Sequence, residues 1–184
     1  MNIQEQILKK ASILIEKKNY KEAKSILLNF INTTKNIKID LKFFYALYLT
    51  SNALKEEKNS KRYLEKCIKI NDKNHIILNN LANILLKEGN IFKAEKLYLK
   101  SLDVKDDYLL GIINTAIFYQ KLGRFEESKF FYMKAIALSP ERISIYFNMS
   151  RVDKSFINED KIEYLKKIMK NENIESIEMG YGFF

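Results

Sequence analysis

Few side chains in this sequence are equipped for chemistry. His75 is the only histidine and Cys67 the only cysteine. A single imidazole excludes a His-pair metal site and makes any nucleophile–histidine dyad depend on one residue. A lone thiol forms no intramolecular disulfide and points to a reducing compartment. The pairs Glu56-Glu57, Asp106-Asp107 and Glu126-Glu127 are neighbours in sequence, so on a helix they do not converge on one face. They read as solvated turns or helix starts. Gly180-Tyr181-Gly182 lacks the Lys-Ser/Thr of a phosphate loop. These residues predict no catalytic centre, no metal and no cofactor. One regular feature remains: Asn80, Asn114 and Asn148 recur at intervals of 34 residues. A carboxamide both donates and accepts, so a row of them can replace the hydrogen bonds of a peptide backbone whatever the peptide's sequence.

The elements that would position such a row follow from the same period. Gly (5) and Pro (1) are scarce, which disfavours a strand-rich fold with many turns and favours long helices with short connections. Residues 75–108 and 109–142 align without a gap, matching Ala82 to Ala116, Gly89 to Gly123, Tyr98 to Tyr132 and Asp106 to Pro140. Stepping back by 34 places Ser60, Leu64, Cys67 and Asp72 opposite Ala94, Tyr98, Ser101 and Asp106 in a copy spanning 41–74. A further copy spans about 4–37, with Ala11, Ala23, Leu27 and Phe30 in phase and about three extra residues in the Thr33–Asp40 connection. A fifth copy, 143–170, degenerates after Ser150, because Asp153 falls where Tyr119 and Leu85 stood. Residues 171–184 form a tail or the start of another helix.

Each copy reads as two helices. The first carries apolar residues at helical spacing, such as Leu78, Leu81, Ala82 and Leu85, and a Gly or polar turn follows. Small residues at Ala82, Ala94, Ala116 and Ser128 let two antiparallel helices approach, and Tyr98 and Tyr132 fill the gap toward the next pair. Pro140 falls just past a helix end, where its missing N–H costs nothing. Cys67 occupies the small-residue position held elsewhere by Ser101 and Ala135, and so reads as a buried, inert thiol. The expected fold is all-α, a right-handed helical-repeat solenoid of about five antiparallel helix pairs.

The net charge of +9 could serve nucleic acid, an acidic membrane surface or an acidic peptide. The cations are nearly all Lys, with Arg only at 62, 124, 142 and 151, and they are dispersed among Glu and Asp. No aromatic and basic residues alternate on a readable platform, which argues against nucleic acid as the partner. The longest apolar run, Phe43 to Leu49, is far below the ~20 residues of a membrane helix. The N-terminus lacks the charged-apolar-small order of a signal peptide. A cytoplasmic location without a membrane span is the expectation.

The repeats resemble the tetratricopeptide repeat. Leu81-Ala82, Leu85, Ala94, Tyr98, Ser101 and Asp106 follow its 34-residue pattern, as do Thr115-Ala116, Tyr119, Ser128, Tyr132, Ala135 and Pro140. The family's usual Trp is absent, and Ile112 and Tyr146 stand in its place. The resemblance implies a protein- or peptide-binding scaffold whose first helices line a concave groove. In some arrays of this kind that position carries an asparagine ladder gripping an extended peptide. Carried over residue by residue, the peptide-binding set is Asn80, Asn83, Asn114 and Asn148, with Asn79 sharing their surface. Lys121 and Arg151, together with Lys87 and Lys154, add positive charge suited to an acidic peptide. The family's two-cation carboxylate clamp is not reproduced, since Asn79, Ser144 and Asn148 occupy its cation positions. The competing explanation is that Asn is simply common at this repeat position. From Ser155 onward the chain also resembles the linker of bacterial proteins that join such repeats to a sulfotransferase. Here it lacks the Gly-rich 3′-phosphosulfate loop, so the alternative is an accessory region without a catalytic domain.

Overall fold

The computed structural model describes residues 3–34 and 38–171. Part of the Thr33–Asp40 connection lies outside them. So do Gly180-Tyr181-Gly182, the apolar tail from Ile174 and the end of the stretch that resembles the sulfotransferase linker. The chain folds as two compact units, Met1–Val104 and Lys105–Phe184. The first contains α1 (Ile3–Glu16), α2 (Tyr20–Thr33), α3 (Leu41–Ala53), α4 (Glu57–Ile70), α5 (His75–Lys87) and α6 (Ile91–Val104). The second contains α7 (Leu109–Lys121), α8 (Phe125–Leu138), α9 (Ile143–Val152), a 3₁₀ turn at Lys154–Phe156 and α10 (Glu159–Asn171). Among the described residues all regular structure is helical, as the shortage of Gly and Pro predicts.

Four of the helix pairs share one turn. Asn19, Glu56, Asn90 and Arg124 each donate a backbone N–H to the carbonyl five residues earlier, on Leu14, Ser51, Leu85 and Tyr119, at 2.8–3.0 Å. One residue before each of these, Lys18, Lys55, Gly89 and Gly123 donate to the carbonyl three residues back at 2.9–3.1 Å. This pairing is the Schellman arrangement, which ends a helix by placing one residue in the left-handed region. That residue is Lys18 (φ 58), Lys55 (φ 59), Gly89 (φ 76) or Gly123 (φ 71). Entry into the first helices is fixed differently. The Asp40 carboxylate accepts from Lys42 N at 2.8 Å, and Asn74 Oδ1 accepts from Ile77 N at 3.1 Å.

Packing within the pairs follows the small residues. Ala82, Ala94, Ala116 and Ser128 are completely buried. Ser128 Oγ donates to the Ala116 carbonyl at 2.8 Å, so the α8 side chain meets the α7 backbone directly. Tyr98 and Tyr132 are among the largest fully buried side chains. Cys67 is buried, with its thiol 3.8 Å from the Leu41 carbonyl, and burial pushes its pKa up to about 12. Ser101, one repeat later, donates to the His75 carbonyl at 2.8 Å, so the small-residue position ties the second helix to the start of the first.

The fifth copy departs where Asp153 enters. The α9 helix stops at Val152, and the Asp153 carboxylate accepts from Ser155 N at 3.0 Å, opening the 3₁₀ turn. A charge here turns outward to Lys129 Nζ of α8, at 2.7 Å, where Tyr119 and Leu85 turn inward in the earlier copies. No described side chain of α10 is buried. Among the described residues no helix is long and apolar enough to cross a membrane.

Candidate functional site

The predicted site residues fall in both units, on α5, α7 and α9. In the first unit, Asn80 and Asn83 are half-buried on α5. Burial raises the pKa of Tyr45 on α3, and the Asn80 amide opposes that rise. Asn83 Oδ1 accepts from the Tyr98 hydroxyl of α6 at 2.5 Å. Asn83 therefore makes an internal contact as well as lying in the predicted set. The placement of Asn79 on the surface of Asn80 and Asn83 is corrected. Asn79 is completely buried and does not share their surface, because α4 and α6 both pack on α5 and cover Ile77–Asn79 as well as Leu81–Ala82.

In the second unit α8 packs against both α7 and α9. Asn114 and Asn148 are half-buried, while Lys121 and Arg151 are exposed. On α7 the buried positions are Gly111, Ile112, Thr115, Ala116, Phe118 and Tyr119. At about 100° per residue, Leu110, Asn114, Ile117 and Lys121 share the opposite face. On α9 the buried positions are Ile145, Tyr146 and Met149, and Ser144, Phe147, Asn148 and Arg151 share the other face.

One α8 hydroxyl is tied to α7. Tyr132 Oη donates to Gln120 Oε1 of α7 at 2.9 Å. Burial raises the Tyr132 pKa, and the Arg151 charge on α9 opposes that rise. Tyr132 thus bonds the C-terminal turn of α7, where Lys121 is the next residue after Gln120. Arg124, also near this end of α7, is committed elsewhere. Its guanidinium lies 4.5 Å from the Tyr119 ring centroid and pairs with Glu127 at 2.6 Å. No carboxylate lies within ion-pair distance of Arg151 among the described residues.

Three contributors are not visible in the amide period. Tyr45 falls one residue out of phase with Asn80. Gln120 is in phase with Leu86, so no repeated polar position marks it. Phe147 is in phase with Ile113 and reads as another apolar helix residue, yet it is 65% exposed.

Two family models described as tetratricopeptide repeat match the sequence, one over residues 63–96 and the other over 49–74 and 114–142. The chain carries tetratricopeptide repeats over these residues. Its repeats make it a protein-interaction scaffold. Among solved structures it is similar to MamA 41-end from Desulfovibrio magneticus RS-1, at 15% identity and a TM-score of 0.74, covering 92% of this chain and 96% of that one. It is also similar to Pseudomonas aeruginosa pilF, at 14% identity and a TM-score of 0.72, covering 91% and 73%. YrrB, described as a TPR protein with an unusual peptide-binding site, gives 18% identity and a TM-score of 0.66, covering 75% and 70%. These likenesses establish a helical-repeat fold of the solenoid class. A search of curated proteins finds no match.

Proposed function

We propose that the chain binds an extended, acidic peptide, and that Asn114, Asn148, Lys121 and Arg151 hold it on the outward faces of α7 and α9. The observation that carries this reading is the amide register and the common outward face. Asn114 and Asn148 are in phase, and a cation shares each one's face, Lys121 seven residues after the first and Arg151 three residues after the second. The amides would bond the peptide backbone, and the cations would select carboxylates through charge-assisted hydrogen bonds. Asn80 continues the series 34 residues earlier, on α5. Asn83 is occupied by Tyr98 and is the weakest member of the set. YrrB, similar in fold, is named for a peptide-binding site, which supports the class of ligand. The groove needs no catalytic group, metal or cofactor for this task.

The test is selection of random peptides on the immobilised full chain, followed by titration of the enriched sequences. Each lost amide is expected to leave a peptide group unpaired at about 1–3 kcal/mol, so Asn114→Ala with Asn148→Ala should weaken binding at least ~10-fold. Circular dichroism should be unchanged, because neither side chain is fully buried. Raising salt should weaken binding of wild type, and less so of Arg151→Gln. Full affinity in the folded double variant would show the asparagines to be a sequence habit of the repeat.

A further inference from the structure

On α9, Phe147 exposes 65% of its surface next to Asn148 and one helical turn before Arg151. On α7, Leu110 is 51% exposed one turn before Asn114, in phase with Ser144 rather than with Phe147. Single exposed apolar residues are normal on protein surfaces and carry no message by themselves. Phe147 differs because its ring shares one face with an amide and a cation that has no carboxylate partner among the described residues. Aromatic and Arg side chains set side by side are the usual energetic centre of a recognition surface. Phe130 is a useful contrast. It is exposed to 64%, but it lies on α8 directly opposite the buried Ser128, Tyr132 and Ala135, away from α7 and α9.

The geometry points to a two-part specificity: the peptide presents a large apolar side chain to Phe147 and, two residues away, a carboxylate to Arg151. The proposal rests on the peptide-binding reading above and names its ligand class. The spacing follows from the helix. Residues four apart on one face hold their Cβ atoms about 5–6 Å apart. In an extended peptide, side chains two residues apart point the same way and are separated by roughly 6–7 Å. A ligand with the apolar and acidic residues adjacent would send one of them away from α9. A spacing of three would do the same. Burying the Phe147 ring against an apolar partner removes both surfaces from water, and excluding water strengthens the Arg151–carboxylate bond beside it.

Selected peptides from the display experiment provide the test. Wild type should enrich Asp or Glu two positions from Phe, Tyr, Trp, Leu, Ile or Met. Phe147→Ala should bind a selected peptide at least ~10-fold more weakly, and should show no further loss when the peptide's own apolar residue is changed to Ala. Arg151→Gln should abolish the preference for the carboxylate but keep the apolar one, and Phe130→Ala should bind as wild type does. Enriched peptides that are acidic but have no apolar residue at that spacing would overturn the two-part specificity and leave the peptide-binding reading standing. Equal binding by wild type and Phe147→Ala, or equal damage from Phe130→Ala, would do the same. Peptides whose capture is indifferent to Asn114 and Asn148 would overturn the peptide-binding reading itself, and this inference with it.

Discussion

Lys18, Lys55, Gly89 and Gly123 occupy one structural position, and only two of them suit it. A side chain in the left-handed region brings Cβ against the following carbonyl, at roughly 1–2 kcal/mol, a cost Gly escapes. Lys55→Gly should therefore stabilise the first unit by about 1 kcal/mol, measured by chemical denaturation. Gly89→Ala should cost a similar ~1 kcal/mol. An added Cβ there would meet nothing within 4 Å, so the loss would be conformational alone. The glycines are legible in sequence because they align. The two lysines are not, since Lys is a good helix former and nothing local marks it as a stop. Asn83 makes the complementary point. Its position was readable from the repeat, but its bond to the buried Tyr98 hydroxyl depends on how α5 meets α6. Asn83→Ala should destabilise by about 1–3 kcal/mol by removing that hydrogen bond, whereas Asn148→Ala should be near neutral. Equal stability of the two variants would contradict the assignment.

At the scale of the element, the closest approaches are at the small residues. Ala82 and Ala116 have no exposed surface, and the Ala116 carbonyl is already within hydrogen-bond distance of α8. Leucine at either place must separate the pair or force a strained rotamer, so Ala82→Leu and Ala116→Leu should each cost roughly 1–3 kcal/mol in denaturation. A neutral result at both would mean that the helix faces are wrongly assigned. These contacts were legible because close approach demands a small side chain in every copy. The end of α9 was legible as a failure of pattern, but the device that replaces the pattern was not. Lys129 and the Ser155 hydroxyl and backbone N–H hold the Asp153 carboxyl well below its ordinary range, at about 2. A carboxyl with a lowered folded pKa contributes fully above its unfolded value near 4, and the contribution is lost as pH falls toward 2. NMR titration should place the Asp153 midpoint near 2, and amide protection at 153–156 should fall between pH 4 and 2. Asp153→Asn should remove that pH dependence, and a midpoint near 4 in the wild type would sink the account.

At the scale of the whole molecule, repetition made the fold readable and left the site only partly so. A helical array is specified by a few small and aromatic residues at each period, so four imperfect copies suffice to announce it. A binding face is specified by what lies exposed on it. Exposure at Phe147, and burial at Asn79, depend on neighbours far away in sequence. The same dependence predicts how each unit comes apart. A repeat buries its apolar face only against adjacent helices, so stability should fall toward elements with few neighbours. In the second unit α7 buries six residues, α8 three, and α10 none among its described side chains. In the first, α5 buries six residues and α1 only Ala11. Hydrogen exchange followed by mass spectrometry should show α10 and α1 exchanging first and α5 and α7 last. Circular dichroism of the intact protein should show helix with no sheet component. A peptide ligand held on α7 and α9 should add protection to both helices while leaving α10 as it was, because the proposed contacts include no residue of α10. Uniform exchange across each unit would refute the nearest-neighbour account of stability. Ligand-induced protection concentrated in α10 would move the binding surface away from the asparagines altogether.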